Sequence, residues 1–120
     1  SSIIIGNTTL SSDGHPSFDS TGRWMITDAY PNRRRVQNLI LYDIKTDQRY
    51  DISRLPQPKA FQSPSHYLHW GCDLHPRWDR ESKMICFDAT FNNIRSLCTI
   101  NFNSDIVKNN VRFLTKQLEQ

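Results

Sequence analysis

The chain repeats itself at a spacing of 60 residues, and this repeat limits the folds open to it more than any other feature. Residues 13–19 (DGHPSFD) return as residues 73–79 (DLHPRWD), with Asp, His, Pro and Asp unchanged. Hydrophobic runs follow both copies, and the pair Asp-Ala at 28–29 returns at 88–89. Repeats of this kind bury their hydrophobic faces by stacking on each other, so we expect two adjacent and equivalent units.

Within each copy, short runs of β-branched and aromatic residues between turn residues predict antiparallel strands. In the first copy these runs are residues 15–19, 23–28, 38–44 and 48–52. The turn at 19–22 (DSTG) has Asp at its first position and ends at Gly22, which can supply a positive φ. The second copy has counterparts of the first three runs and lacks an obvious fourth. The sequence therefore predicts an all-β fold of two antiparallel β-propeller blades (β-meanders) with a short C-terminal helix.

This prediction divides the chain into five segments. We expect a leading outer strand at 1–12, a blade at 13–53, a long loop at 54–72, a second blade at 73–103 and a helix or tail at 104–120. The loop is rich in proline and lacks periodicity, and loops of its length are often functional. In the tail, apolar residues lie on one helical face at spacings of four, three and four, namely Val107, Val111, Leu114 and Leu118. We expect that helix to pack on the last blade rather than to bind a partner.

The length implies partners. A propeller needs at least about four blades, and 120 residues suffice for two or three. Two blades leave a face open on each side, because each repeat needs a neighbour to bury its surface. We therefore expect the partners to be the remaining blades of a larger propeller, or further copies of this chain.

Charge and composition disfavour several classes of function. The net charge is +3, and much of the excess lies in residues 33–35 (RRR). A triplet beside Pro-Asn is typical of a solvated hairpin tip, although nucleic-acid binding is the alternative. No apolar run is long enough to span a membrane. We expect a soluble protein, and its compartment is left open between bacterial cytoplasm and periplasm.

The three cysteines match neither a disulfide pattern nor a zinc-binding motif. Their number is odd, and neither a CxxC motif nor a zinc-finger spacing is present. Cys86 and Cys98 lie in strand-like runs and are expected to be small buried residues. A bridge between these two cysteines across a hairpin is the alternative.

The two openings resemble the TolB-type, WD-repeat-like β-propellers of bacteria. Blades of that family begin with His-Pro-x-aromatic-Ser-x-Asp-Gly-Arg/Lys, and here the openings are residues 15–23 (HPSFDSTGR) and 75–83 (HPRWDRESK). The strand at 41–44 (LYDI) and the segment at 48–50 (QRY) are similar to the family's outer hairpin. The resemblance covers residues 13–102. It departs at 81–82, where the family prefers Asp-Gly, and at Asn101, where Asp is usual.

A narrower similarity is to propellers found in carbohydrate-related contexts, including the oligogalacturonate lyases. Those enzymes hold a channel metal largely through histidines, but their defining motifs are not recognisable here. The resemblance implies a binding or interaction module in a carbohydrate-related context. The alternative is the C-terminal part of a metal-dependent polysaccharide or oligogalacturonate lyase. No nucleophile elbow, Walker loop or HExxH motif is present, so the sequence leaves open whether the chain is an enzyme.

The equivalent histidines are the candidate site. His15 and His75 open the first strands of adjacent blades, and first strands line a propeller channel. With Asp73 and His69 they form a predicted site for a divalent metal, since imidazole and carboxylate are common ligands of zinc and similar ions. The alternative is structural, because a His before Pro can donate a hydrogen bond to the neighbouring blade.

A second set of residues is the candidate ligand-binding group. Tyr67 and Trp70 lie in the long loop among histidines, and aromatic rings in loops can stack on sugars. Together with Arg77 they are predicted to contact a ligand, for which a carbohydrate is one alternative. Trp24 and Trp78 lie in or beside strands, where they are expected to fill the space between blades.

Overall fold

A computed structural model of the chain describes residues 1–64 and 71–103. Within those ranges, seven strands form two antiparallel sheets in sequential order. The first sheet contains β1 (Ser17–Phe18), β2 (Trp24–Asp28), β3 (Val36–Asp43) and β4 (Gln48–Pro56). The second contains β5 (Arg77–Trp78), β6 (Met84–Phe91) and β7 (Ile94–Asn101). The predicted all-β fold with two blade-like meanders is confirmed, while the predicted C-terminal helix lies outside the described residues.

The turn that opens each blade is closed in the same way in both copies. The Gly22 N–H donates to the Asp19 carbonyl at 3.1 Å, and Gly22 has a φ of 74°. The Asp19 carboxylate also accepts from the N–H of Trp24 at 3.0 Å, which fixes the start of β2. In the second copy, Ser82 donates to Asp79 at 3.1 Å and adopts a φ of 56° without being glycine. The repeat therefore preserves the turn, and the departure from Asp-Gly is accommodated by backbone strain at Ser82.

The hydrophobic core lies between the two sheets. The first sheet contributes Ile26, Leu39, Leu41, Ile52 and Leu55, and the second blade contributes Leu74, Ile85, Phe87 and Ala89. Trp24 and Trp78 pack against the edge of this core, as the sequence predicted. The ring of Phe102 lies edge-on to both indoles, at centroid distances of 5.5 and 4.9 Å. The two sheets are thus stacked face to face, as neighbouring blades are.

Equivalent residues of the two copies lie on different sides of the interface between the sheets. Ile26 points into the core, whereas Cys86, its equivalent 60 residues later, lies next to the core residue Ile85 and so points to the opposite face of its sheet. In the repeat, the face of the first sheet that packs on the second blade therefore corresponds to the face of the second sheet that points away from the first blade. That face, the open face, is covered by no strand or loop of residues 1–64 and 71–103 and carries Met84, Cys86, Asp88, Leu97 and Thr99. Its Leu97 is 66% exposed, while the equivalent Leu39 is fully buried.

The structure differs from expectation over residues 1–12, which contain no strand. The buried Gly6, with a φ of 63°, instead accepts a hydrogen bond at 2.8 Å from the N–H of Leu10. Thr9 donates to the Asp47 carboxylate at 3.0 Å, and Tyr42 of β3 bonds the same carboxylate. This bond and burial raise the pKa of the Tyr42 phenol. Residues 6–10 therefore lie against the side of the first sheet that faces away from the second blade.

Two smaller expectations are corrected. Cys86 and Cys98 were expected to be buried and are half-buried; the alternative of a bridge between them does not hold, because Cys98 pairs with Phe87 and the two cysteines lie on opposite faces of their hairpin. The start of the predicted long loop belongs to β4, which continues to Pro56 past an irregularity in its pairing with β3. A single turn of 3₁₀-helix at Lys59–Phe61 follows.

No helix among the described residues is long and apolar enough to cross a membrane.

Candidate functional site

Three of the four predicted metal ligands lie together where the two blades meet. One potential ligand atom from each of His15, Asp73 and His75 lies within 4.8 Å of the others. The imidazole rings of His15 and His75 stack with centroids 3.8 Å apart and planes inclined by 25°. His69, the fourth predicted ligand, lies outside the described residues.

A buried carboxylate, Asp28 at the end of β2, holds both histidine segments. It is 3% exposed and accepts from the main-chain N–H of His15 at 2.7 Å and from that of His75 at 3.1 Å. Both of its oxygens also lie 3.0 Å from Nδ1 of His15. One carboxylate therefore links the opening segments of the two blades.

The same contacts determine the tautomer of the neutral His15 ring. A carboxylate only accepts hydrogen bonds, so Nδ1 of a neutral His15 carries the hydrogen and Nε2 keeps its lone pair. In many metal-binding histidines, a carboxylate accepts a hydrogen bond from one ring nitrogen in this way and orients the other nitrogen toward the metal. Nε2 of His15 is consequently the ring atom that can bind a cation.

The backbone around the site is constrained on both sides. Gly14 passes so close to β2 that an added Cβ would lie 2.0 Å from the Asp28 carbonyl oxygen. His75 has a φ of 40°, a left-handed conformation that is uncommon for a side-chain-bearing residue. The N–H of Asp88 donates to the Leu74 carbonyl at 2.8 Å and helps hold that conformation. Strained residues of this kind concentrate at functional sites, and the bonds around them maintain the strain.

The three donor groups are of the kinds that bind a divalent ion, but their ligand atoms lie farther apart than in a bound site. Two imidazole nitrogens and a carboxylate oxygen are typical ligands of zinc and similar ions. A tetrahedral ion with bonds of about 2.1 Å holds its ligand atoms about 3.4 Å apart. Because the atoms here spread to 4.8 Å, the side chains would have to draw together by about 1 Å or more to share an ion.

The predicted ligand-binding residues are not assembled within the described part of the chain. Tyr67 and Trp70 lie outside it. Arg77 is about half exposed, donates to the His75 carbonyl at 2.7 Å and lies 3.5 Å from the Asp88 carboxylate. It therefore lies at the edge of the open face, next to the histidines.

Sequence reasoning missed two residues of this region. Asp28 was visible in the repeat, because it returns as Asp88, yet its position within a hydrophobic strand gave no sign of its partners. Tyr30 lies with its ring edge-on to His15 at a centroid distance of 5.6 Å. Its counterpart 60 positions later is Thr90, so the repeat gave no signal for Tyr30.

Comparison with known proteins supports the fold and nothing finer. No family model matches the chain, and no curated protein matches it. A search of solved structures finds similarity to the crystal structure of TolB from Acinetobacter baumannii, with a TM-score of 0.52 and 14% identity. The match covers 72% of this chain and 18% of that one, so the chain corresponds to less than a fifth of that protein's length. The TolB-type resemblance is confirmed as a distant similarity of fold, and the narrower one to oligogalacturonate lyases gains no support.

Proposed function

We propose that the chain is a propeller-type binding module whose open face receives another blade of the same repeat. The observation that carries this proposal is the equivalence of the two faces: the first sheet buries Asp28 and Leu39 under the second blade, and the second sheet presents Asp88 and Leu97 at the equivalent positions. Similarity of fold does not decide function, so the argument depends on the contacts between the blades.

The existing interface supplies the pattern. The second blade donates the His75 N–H to the Asp28 carboxylate at 3.1 Å and the indole N–H of Trp78 to the Ser17 carbonyl at 3.0 Å. The acceptors 60 positions later are the carboxylate of Asp88 and the carbonyl of Arg77. The Asp88 side chain is 44% exposed, against 3% for that of Asp28.

The partner's chemistry follows from those acceptors. An incoming blade would meet these acceptors with a main-chain N–H at the position that His75 occupies and an aromatic ring at the position of Trp78. It also needs an apolar face to cover Leu97, Cys86 and Met84. In a second copy of this chain the second blade already uses His75 and Trp78 on its own first blade, so the first blade is the one that would dock. Its Phe18 places an aromatic ring at the position of Trp78, without the indole N–H. Head-to-tail contacts of this type do not close after one step and can extend to rings or chains.

The test is the solution mass over a range of concentrations, measured by light scattering during gel filtration. We expect the mass to rise with concentration, and Leu97→Arg to suppress the rise by placing a charge in the contact. Ile94→Arg is the matched control, because Ile94 is 65% exposed but lies at the hairpin end, on the other face of β7. A monomer at every concentration, or equal effects of the two substitutions, would contradict this proposal.

A second function is favoured by the cluster of His15, Asp73 and His75, which we propose as a site for a divalent transition metal. Its support is the convergence of three donor groups within 4.8 Å and the fixed Nδ1 hydrogen of His15. An ion there would join the two blades at their opening strands.

Calorimetric titration of the metal-free chain with zinc and manganese tests this second proposal. We expect one ion per chain, with the affinity lost in His75→Ala, which removes an exposed member of the three donor groups. His15→Gln reports separately on the ligand held by Asp28. Equal metal uptake by His75→Ala and the parent chain would show that the bound ion lies elsewhere.

A carbohydrate ligand and lyase activity remain predictions from the narrower resemblance. Arg77 is the described member of the predicted ligand-binding group, and its contacts with His75 and Asp88 do not favour a sugar over another ligand.

A further inference from the structure

A cavity of about 220 Å³ lies beside the histidine cluster. Its lining includes Tyr30, Arg35, Gln57, Phe61, Ser63 and Asp73. Asp73 is shared with the cluster, and Tyr30 contacts the His15 ring. The volume equals that of about seven waters at ~30 Å³ each, which suits a small molecule with one ring.

Gln57, which lines the cavity, has a buried hydrogen-bond donor without a partner among the described residues. Gln57 is 3% exposed, and within the described residues its Nε2 makes no hydrogen bond. Native proteins pair nearly all buried polar groups, so an unpaired carboxamide nitrogen requires an explanation. A bound acceptor that the amide normally contacts would provide one.

The orientation of the amide is determined by its neighbour. Arg35 donates through Nη2 to Oε1 of Gln57 and through Nε to the Gln57 carbonyl at 3.0 Å. Exchanging the amide oxygen and nitrogen would bring two donors face to face, so Nε2 is the atom left unpaired. Arg35 itself has a φ of 60°, and its N–H is held by the Asn32 carbonyl at 2.9 Å. A strained backbone thus places this guanidinium against Gln57.

The lining points to the class of ligand. A guanidinium and a carboxamide N–H side by side favour an acceptor with negative charge, and a carboxylate fits such a pair. The ring of Tyr30 offers planar apolar surface for the rest of the molecule, and Phe61 offers the ring face that the Arg95 guanidinium, 5.1 Å from its centroid, does not cover. Asp73 adds a negative charge to the same lining, which disfavours a second carboxylate on the ligand.

We propose that this cavity binds a small monocarboxylate with a planar ring, whose carboxylate is taken by Gln57 and Arg35. The site is separate from the open face of the second blade, so the proposal does not depend on blade docking. It also requires no metal, because the groups that would bind the carboxylate are the Arg35 guanidinium and the Gln57 amide, which hydrogen-bond to each other.

The experiment uses benzoate as the probe and benzyl alcohol as its neutral counterpart, both titrated into the whole chain in the presence of a chelator. Two-dimensional NMR of side-chain amides gives the readout. We expect benzoate to shift the Gln57 carboxamide signal in a saturable way and to bind at least about tenfold more tightly than benzyl alcohol, since the charged acceptor is absent from the alcohol.

Variants separate binding from folding. Gln57→Leu keeps the side-chain volume and removes the donor, so we expect benzoate affinity to fall by about tenfold or more. The substitution also removes the acceptor of Arg35 Nη2, so a modest fall of the thermal midpoint is expected and cooperative unfolding shows that the variant is folded. Gln48→Leu, at an exposed position on β4, is the matched control and should bind benzoate as the parent does. Tyr30→Ala removes a half-exposed ring and should weaken both probes.

Three results would each overturn the proposal. They are the absence of a saturable shift at Gln57, equal affinity for benzoate and benzyl alcohol, and equal benzoate affinity in Gln57→Leu and the parent chain. None of these depends on self-association, so failure here and failure of the proposed docking are distinguishable.

Discussion

Replacing Asp28 with Ala removes the carboxylate that links the two blades, and its cost follows from the contacts. Two main-chain N–H groups, those of His15 and His75, lose their acceptor at 2.7 and 3.1 Å. A buried donor left unpaired costs about 1–3 kcal/mol, which gives about 2–6 kcal/mol for the two. The His15 ring is 30% exposed and can turn to water, so it adds little. Relief of the buried charge offsets part of the loss, and we expect about 2–4 kcal/mol of destabilisation.

The repeat supplies the control for this experiment. Asp88 is the equivalent residue in the second blade, but its side chain is 44% exposed, so Asp88→Ala should change stability by no more than about 0.5 kcal/mol. Urea unfolding followed by tryptophan fluorescence measures both, at protein concentrations low enough to keep the chain monomeric. A cost below about 1 kcal/mol for Asp28→Ala, or equal costs for the two variants, would refute the assignment of Asp28 as the inter-blade link.

Two further predictions concern a surface-edge ion pair and a close backbone approach. Hydrogen bonds from Arg23 lower the pKa of the Asp43 carboxyl to about 2, so stability from this pair is present above pH ~4 and is lost as the pH falls toward 2. Arg23→Met should flatten that loss in urea midpoints measured across the interval, and an unchanged pH dependence would contradict it. Gly14→Ala should prevent folding or destabilise strongly, because its Cβ would overlap the Asp28 carbonyl. Gly22→Ala, which meets open space and only strains φ, should cost about 1 kcal/mol, and equal thermal midpoints for the two variants would rule out this account.

Much of the fold could be predicted from the sequence because its signals are local. The period-two alternation of β2 and β6, the Asp-led turns before them and the repeat at 60 each depend on nearby residues. Within the described residues the second blade has three strands, which correspond to its three strand-like runs. The leading strand was not found: the apolar run at residues 3–5 satisfies a strand pattern but pairs with neither edge of the first sheet. Ile3 and Ile4 remain 87% and 82% exposed.

The candidate site was predictable only in part. His15 and His75 were found because the repeat makes them equivalent, and Asp73 because it precedes His75. Arg35 and Gln57 were not, since they lie 22 positions apart in a turn and at a strand end, and no spacing rule relates such positions. Their contact exists only because β3 and β4 pair along their length.

The sequence by itself determined that this chain forms two equivalent β-meanders that stack, because turn chemistry and strand alternation are encoded within a few residues of each other. Only the tertiary structure decided which of two identical aspartates is buried. Asp28 lies under a second blade and takes both histidine segments, whereas Asp88 lies on a face that the described residues leave partly open. The physical reason is that burial and hydrogen bonding depend on the neighbour that a face meets, and a repeat specifies the face without specifying the neighbour.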